Sequence, residues 1–278
     1  MTILLFTGIL FVGAFAAGLL GSLTGLGGGV VLIPLLTLLF KVDIHYAIGT
    51  SLISVIATSS GSAAAYVKEG ITNIRLGMFL ELATTLGAIV GAFLATYLPT
   101  SFIAILFGAI LILSAIVSLI KQTDHIVKGP GSPLAQRLKL NNSLPTPEGP
   151  LPYSVKNVVG GFFMMNVAGI ISGLLGIGSG ALKVVAMDNI MRIPFKVSTT
   201  TSNFMIGVTA AASVGIYLKR GYIDPGLSMP VVLGVLLGAL VGTRILFKVR
   251  TPSLKILFSI VVFFLALEMI YNGITHNI

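Results

Sequence analysis

Two glycine clusters interrupt apolar stretches at matched places in this chain, GLGGG at 25–29 and GIGSG at 176–180. Gly25, Gly27, Gly28 and Gly29, and then Gly176, Gly178, Ser179 and Gly180, weaken any continuous helix through them. Breaking a helix in an apolar medium frees backbone N–H groups, which is tolerable only where protein, water or ligand satisfies them. A helix restarting past the break aims those N–H groups and its positive dipole end inward, an arrangement that receives anions. In the first copy the returning helix would start near Gly27 to Gly29, with Ser22 or Thr24 as a cap and Pro34 as a kink. In the second, Ser179 adds a hydroxyl and Lys183, one turn beyond, adds positive charge. Close helix packing or a plain hairpin corner would use the same glycines, and the sequence leaves both roles open.

Hydroxyls and one acid supply further chemistry. Thr50, Ser54, Thr58 and Ser62 recur every fourth residue, one stripe on a helix. Their counterparts in the second half, Thr201, Met205, Thr209 and Ser213, keep three polar positions of four. Ser51 and Ser202 widen that face. Any single hydroxyl can instead bond its own i−4 carbonyl. Glu81 lies inside an apolar segment, with Thr85 four residues on and Val232 at the matched place in the second half. It is either a proton-coupling acid or the partner of a base, for which Arg244 is the candidate. Asp188 and Glu268 fall near expected helix ends, where solvation or capping suits them.

Catalytic readings find little support. There is no cysteine, which removes disulfides, thiolate metal sites and thiol nucleophiles. Ser-His chemistry needs a base buried with its serine, and His45, His125 and His276 map to loops or to the C-terminal end. No H-E-x-x-H spacing offers a metal site, and GLGGG lacks the strand context and spacing of a dinucleotide or P-loop cofactor site. No catalytic residue, metal or cofactor is therefore expected.

The elements that must position these residues are set by the solvent. Hydrophobic residues make up 55% of the chain, charged residues 9%, and the mean hydropathy is +1.05, against about 25% charged in a globular domain. Apolar runs that would span a bilayer recur near 45–67, 76–98, 102–120, 157–175, 197–218, 226–247 and 256–275. The first segment, from Thr2, lacks a charged leader and reads as a retained membrane segment. The net charge of +9 does not require nucleic acid, because lysine and arginine sit mainly in loops.

The chain divides into a first transmembrane repeat (1–120), a proline-rich polar linker without a continuous apolar face (121–156) and a second transmembrane repeat (157–278). At a constant offset of 151, 21 of 83 positions between 18–100 and 169–251 are identical. Thr50/Thr201, Ser51/Ser202, Tyr66/Tyr217, Lys68/Lys219 and Gly70/Gly221 share that register. If each glycine motif folds its opening segment into a hairpin of two helices, every repeat has about five helical segments. Twelve basic residues then share one face, Lys68, Arg75 and Arg192 among them, while Lys41, Lys219 and Arg220 face the other. That asymmetry fits the positive-inside rule, with the linker a partly mobile cytoplasmic loop and both termini outside. An odd number of segments inverts the second repeat relative to the first. The expected fold is an all-α polytopic membrane protein of two inverted repeats.

The chain also resembles a known family. GLLGSLTGLGGGVVLIPLL and GIISGLLGIGSGALKVVAM, followed by AIGTSLISVIATSSGSAAAYVKEGITN and STTTSNFMIGVTAAASVGIYLKRGYIDP, are similar to the TauE/SafE family of sulfite and organosulfonate exporters. The glycine motif, the Thr-Ser pair and the Tyr-x-Lys-x-Gly exit occur in family order, twice. The resemblance implies a multi-pass transporter of a prokaryotic cell membrane that moves small sulfur oxyanions or sulfonates. It carries the substrate-binding role to Gly25, Gly27, Gly29, Gly176, Gly178, Gly180, Thr50, Ser51, Thr201 and Ser202. Ser179 and Lys183 depart from the plain glycine pattern. An anion-selective channel and a non-transporting membrane scaffold remain the alternatives.

Overall fold

The computed structural model describes residues 3–24, 28–119, 131–146, 148–246 and 251–275. Gly25 and Gly27 therefore lie outside the described residues. In the first half the helices are α1 (Ile3–Thr24), α2 (Gly29–Pro34), α3 (Ile44–Lys68), α4 (Ile74–Ala95) and α5 (Thr100–Leu119). Between the halves stand α6 (Pro133–Arg137) and strands β1 (Asn142–Thr146) and β2 (Gly149–Tyr153). The second half holds α7 (Val158–Leu175), α8 (Gly180–Val185), α9 (Phe195–Lys219), α10 (Pro225–Leu246) and α11 (Thr251–Ile274). Both α2 and α8 run on into a π-helical turn, Leu35–Leu39 and Ala186–Ile190.

Five of these helices are long and apolar enough to cross a membrane, namely α3, α4, α7, α9 and most of α10. Their outward faces are correspondingly apolar: Met78, Leu82, Leu86 and Phe163 are all more than 60% exposed, a surface suited to lipid rather than water. The protein is an all-α polytopic membrane protein.

The sequence repeat is a structural repeat. Shifted by 151 residues, α2, α3, α4 and the first π-helical turn coincide end for end with α8, α9, α10 and the second. Matching details recur as well. Gly70 and Gly221 adopt φ of 70° and 76° just past α3 and α9, which explains the repeated Tyr-x-Lys-x-Gly: the chain leaves each helix through a left-handed residue. Lys41 and Arg192, 151 residues apart, both stand at positive φ, 54° and 57°. Pro34 does not create the irregularity that follows it, because Val185 precedes the matched π-helical turn without a proline.

Equivalent helices of the two halves pack antiparallel, as inverted repeats require. His45 at the start of α3 stacks on Tyr222 just beyond α9, with centroids 4.9 Å apart, while Ser59 further along α3 abuts the earlier Gly207 of α9. His45 thus lies in the first turn of a helix, not in a loop. Likewise Gly108 of α5 faces Ala266 and Ile270, and Gly273 faces Ser101 and Ile105. The halves are also interlocked, since α1 packs on α10 and α4 on α7. Glycines permit these two crossings. A Cβ at Gly18 or Gly238 would strike the backbone carbonyl of Val235 or Phe15, and one at Gly91 or Gly173 that of Ile170 or Ala88. Such small-residue seams let membrane helices approach backbone to backbone.

The linker departs from its sequence reading. Its second part is folded: Ser132 caps α6 by accepting from the Ala135 N–H, and β1 pairs antiparallel with β2, Leu144 opposite Leu151. Ala135, Leu140, Leu144, Tyr153 and Val155 are buried in one cluster with Leu76, Leu80, Met187 and Met191. Asn73 Nδ2 donates to the Leu140 carbonyl and to the Tyr153 phenol, 2.9 Å each. Burial pushes that phenol up to about 12. The five apolar residues follow neither a helical nor a strand period, so the turn and hairpin alone bring them onto one face.

Candidate functional site

The second glycine motif breaks its helix by backbone conformation. Gly176 and Gly178 have φ of 67° and 71°, values open to glycine at little cost. The Gly176 N–H closes α7 onto the Ser172 carbonyl at 2.8 Å. Ser179, at φ 44°, holds a conformation strained for a side-chain-bearing residue, and its hydroxyl anchors it by donating to the Ala168 carbonyl at 2.7 Å. α8 then starts at Gly180. In the first repeat the N-cap of α2 is Gly28, with helical φ and no side-chain cap bond.

The start of α2 lies against the second break. A Cβ on Gly29 would lie 3.2 Å from the Gly176 carbonyl and would collide with Ser51 Oγ. Ser51 donates to that same carbonyl at 2.9 Å, and Ser202 donates to the Gly180 carbonyl at 3.2 Å. Gly178 packs against Val55 and Ile206. A small cavity of about 10 Å³ beside the tips is lined by Val30, Ile177, Ser179 and Gly180 together with Ile110 and Ser114 of α5. That is room for about one water molecule.

Gly29, Ser51, Gly176, Gly178, Ser179, Gly180 and Ser202 are therefore brought together. Thr50 and Thr201 are not at the tips. Thr50 Oγ1 lies 3.2 Å from Ser228 Oγ at the start of α10, and Thr201 Oγ1 accepts from the Asn73 N–H at 3.1 Å beside α4. These are the same contact in the two repeats, since Gly77 of α4 matches Ser228 and its Cβ would lie 3.2 Å from Thr201 Cγ2. Gly28 faces Val235 and Gly18 on the far side of α2.

Lys183 is fully buried. Its Nζ donates to Thr209 Oγ1 of α9 at 2.5 Å, and Thr209 Oγ1 donates to Glu81 Oε1 of α4 at 2.6 Å. Thr85 adds a second donor to Oε1 at 3.3 Å. Glu81 is only 7% exposed, and its Oε2 has no hydrogen-bond partner among the described residues. The acid of the first repeat thus meets the lysine of the second through a threonine, while the Arg244 side chain lies outside the described residues. Sequence reasoning placed Thr209 in a hydroxyl row without seeing it as the link; its register with Thr58 was the available signal. Asp188, expected to be solvated or capping, is buried within the π-helical turn, whereas Glu268 is exposed. Among the described residues no cluster of histidines and acids could hold a metal ion.

This arrangement of broken helices, crossed repeats and a buried lysine bridged by threonine to a buried glutamate accompanies a match to the family described as Sulfite exporter TauE/SafE over residues 10–269. The chain belongs to the TauE/SafE family. Among its relatives, the probable membrane transporter protein YunE of Bacillus subtilis is 30% identical over 273 residues, covering 96% of this chain and 98% of that protein. YdhB of the same organism, also named a probable membrane transporter protein, is 30% identical over 231 residues, covering 83% and 86%. MJ0441 of Methanocaldococcus jannaschii, likewise so named, is 24% identical and covers 96% of each chain. No solved structure matches the chain. This TauE/SafE protein is a multi-pass membrane transporter, and its buried polar centre is the candidate site.

Proposed function

We propose that this protein is a secondary transporter of the cell membrane that moves small sulfur oxyanions and organosulfonates outward by alternating access. The anion is held between the repeats, near the starts of the broken helices at Gly28, Gly29, Ser179 and Gly180. The observation that carries the reading is the fully buried Lys183 in the first turn of α8, a cation inside an apolar medium where charge is expensive. The second helix break adds hydroxyl donors, those of Ser51, Ser179 and Ser202, which bond backbone carbonyls around it. Such hydroxyls can turn to an oxyanion without changing rotamer at the backbone.

The cavity beside the tips supports a carrier over a fixed pore. Space for about one water is too small for a sulfur with its oxygens, so the tips of α2 and α8 must separate during the cycle. Antiparallel α3 and α9 provide the two-fold frame about which inverted repeats rock.

The test is a competition panel of labelled anions in proteoliposomes. Saturable counterflow of sulfite or a small sulfonate, weakened by Lys183→Ala, is the expected result. An ohmic conductance without counterflow would mark a channel, and cation flux without anion flux would overturn the reading.

A further inference from the structure

The Lys183, Thr209 and Glu81 triad occurs once in a molecule that otherwise repeats itself. At the matched positions of the other half stand Leu32, Thr58 and Val232. There the threonine turns back on its own helix, Thr58 Oγ1 donating to the Ser54 carbonyl at 3.1 Å. One crossing of the same helices is therefore built without charge and the other with a buried acid and base. Because the fold is satisfied by leucine, threonine and valine at the matched crossing, folding does not require the bridged lysine and glutamate. Burying such a pair costs more than well-packed apolar residues do, so its presence needs a reason in the transport cycle.

The pair is also under-coordinated. Lys183 has three N–H donors, and the one bond it makes among the described side chains is to Thr209. Glu81 Oε1 accepts from Thr209 and Thr85, while Oε2 accepts from none. The other buried acid among the described residues, Asp188, lies in the π-helical turn that continues α8. α7 carries no titratable residue, and on α9 the charged Lys196 and Lys219 are exposed at its ends while Tyr217 is turned to the carbonyls of Gly173 and Leu174. Lys183 is the charged group that faces Glu81.

Resting on the anion-transport reading above, we propose that this triad is an exchange site through which one proton and one monovalent anion cross together. The anion takes the free N–H donors of the Lys183 ammonium, and the proton takes Glu81 at Oε2. No covalent step is involved beyond formation of that O–H bond. With ammonium and carboxylate alone the site is neutral; with anion and proton both added it is neutral again. Anion alone leaves a net negative charge in the membrane interior and proton alone a net positive one, so both half-loaded states are disfavoured by burial. Thr209 is the positioning residue. Its hydroxyl bridges the pair when empty, and on protonation of Glu81 its O–H can turn to donate to the Met205 carbonyl, already 2.9 Å away, while its oxygen still accepts from the ammonium.

Opposite charges that neutralise one another in a dry site bind cooperatively, which specifies movement of anion and proton in the same direction rather than in opposite ones. The cycle is electroneutral, so its direction follows the anion and pH gradients and not the membrane potential.

Proteoliposomes containing the full chain and a trapped pH dye test this, with bisulfite and methanesulfonate, both monovalent, as probes and valinomycin with potassium to set the potential. Expected is one proton moved per charge of anion and a flux unchanged by the imposed potential. Glu81→Gln should abolish the proton movement that accompanies each anion carried. Thr209→Val should slow coupled flux about tenfold, the size expected for one lost charge-assisted hydrogen bond, and shift its pH profile, with Thr209→Ser restoring both. The double variant Lys183→Leu/Glu81→Val copies the apolar crossing and should fold with unchanged thermal stability or better, yet move no anion. Anion flux without proton movement in the unaltered protein, or undiminished coupling in Glu81→Gln, overturns the exchange site while leaving anion transport standing. If no probe anion is transported or bound, the transport reading fails and the exchange site falls with it.

Discussion

The backbone N–H of Asn73 donates to the hydroxyl of Thr201 at 3.1 Å, joining the start of α4 in one repeat to α9 in the other. The same asparagine caps α4 by accepting from the Leu76 N–H at 3.1 Å and holds the linker hairpin through its amide. One residue thus ties together the helix bearing Glu81, the helix bearing Thr209 and the folded linker.

Asn73→Ala should destabilise the protein by about 2 kcal/mol, combining loss of a cap with loss of buried hydrogen bonds. Tyr153→Phe should cost about 1 kcal/mol. A cysteine at Leu144, buried in the docked hairpin, should become faster to label in the Asn73→Ala background. Because the phenol is raised to about 12, its contribution is complete below the ordinary value of about 10. It is lost as pH climbs through 12. Labelling of that cysteine should follow the same window in the unaltered background and not in Tyr153→Phe.

Gly91→Ala and Gly173→Ala, on the seam between α4 and α7, should each cost about 1–3 kcal/mol or more, since the new methyl meets backbone that cannot step aside. Gly8→Ala and Gly61→Ala meet nothing within 4 Å and should gain about 0.5–1 kcal/mol from the better helix former. Melting curves in detergent check both signs.

Tyr217→Phe removes a fully buried hydroxyl that donates to the Gly173 carbonyl at 3.1 Å, with the Leu174 carbonyl at 3.3 Å. Two carbonyls next to the helix break lose their side-chain donor, and a loss of about 1–2 kcal/mol is expected. Thermal denaturation in detergent measures it.

Antiparallel packing of α3 and α9 places the linker hairpin and the Arg220 turn at opposite ends of the molecule. The positive-inside rule puts the hairpin in the cytoplasm. Single cysteines at Glu148 and Arg220, both exposed in a chain without other cysteines, should react with an impermeant reagent from opposite sides. Labelling of Glu148→Cys from outside intact cells would reverse the orientation, and labelling of both from one side would exclude the inverted arrangement.

Local chemistry made much of this architecture legible in the sequence. Helix spans followed from apolar run length because a bilayer core fixes how many residues must be apolar. The repeat followed from register, and the helix exits at Gly70 and Gly221 from glycine's access to positive φ. The glycine breaks at 176–180 were visible for the same reason. What tertiary structure alone decided is which groups meet. Glu81, Lys183 and Thr209 lie on three helices separated by up to 128 residues, and no spacing rule relates them. Thr50 and Thr201, equal in the repeat to Ser51 and Ser202, face away from the break because neighbouring residues on a helix point about 100° apart. The linker's apolar face exists only once its hairpin has closed. Run length and turn chemistry are properties of the chain, whereas the pairing of a buried acid with a buried base is a property of helices crossing, and it was the interlocking of the repeats that set it.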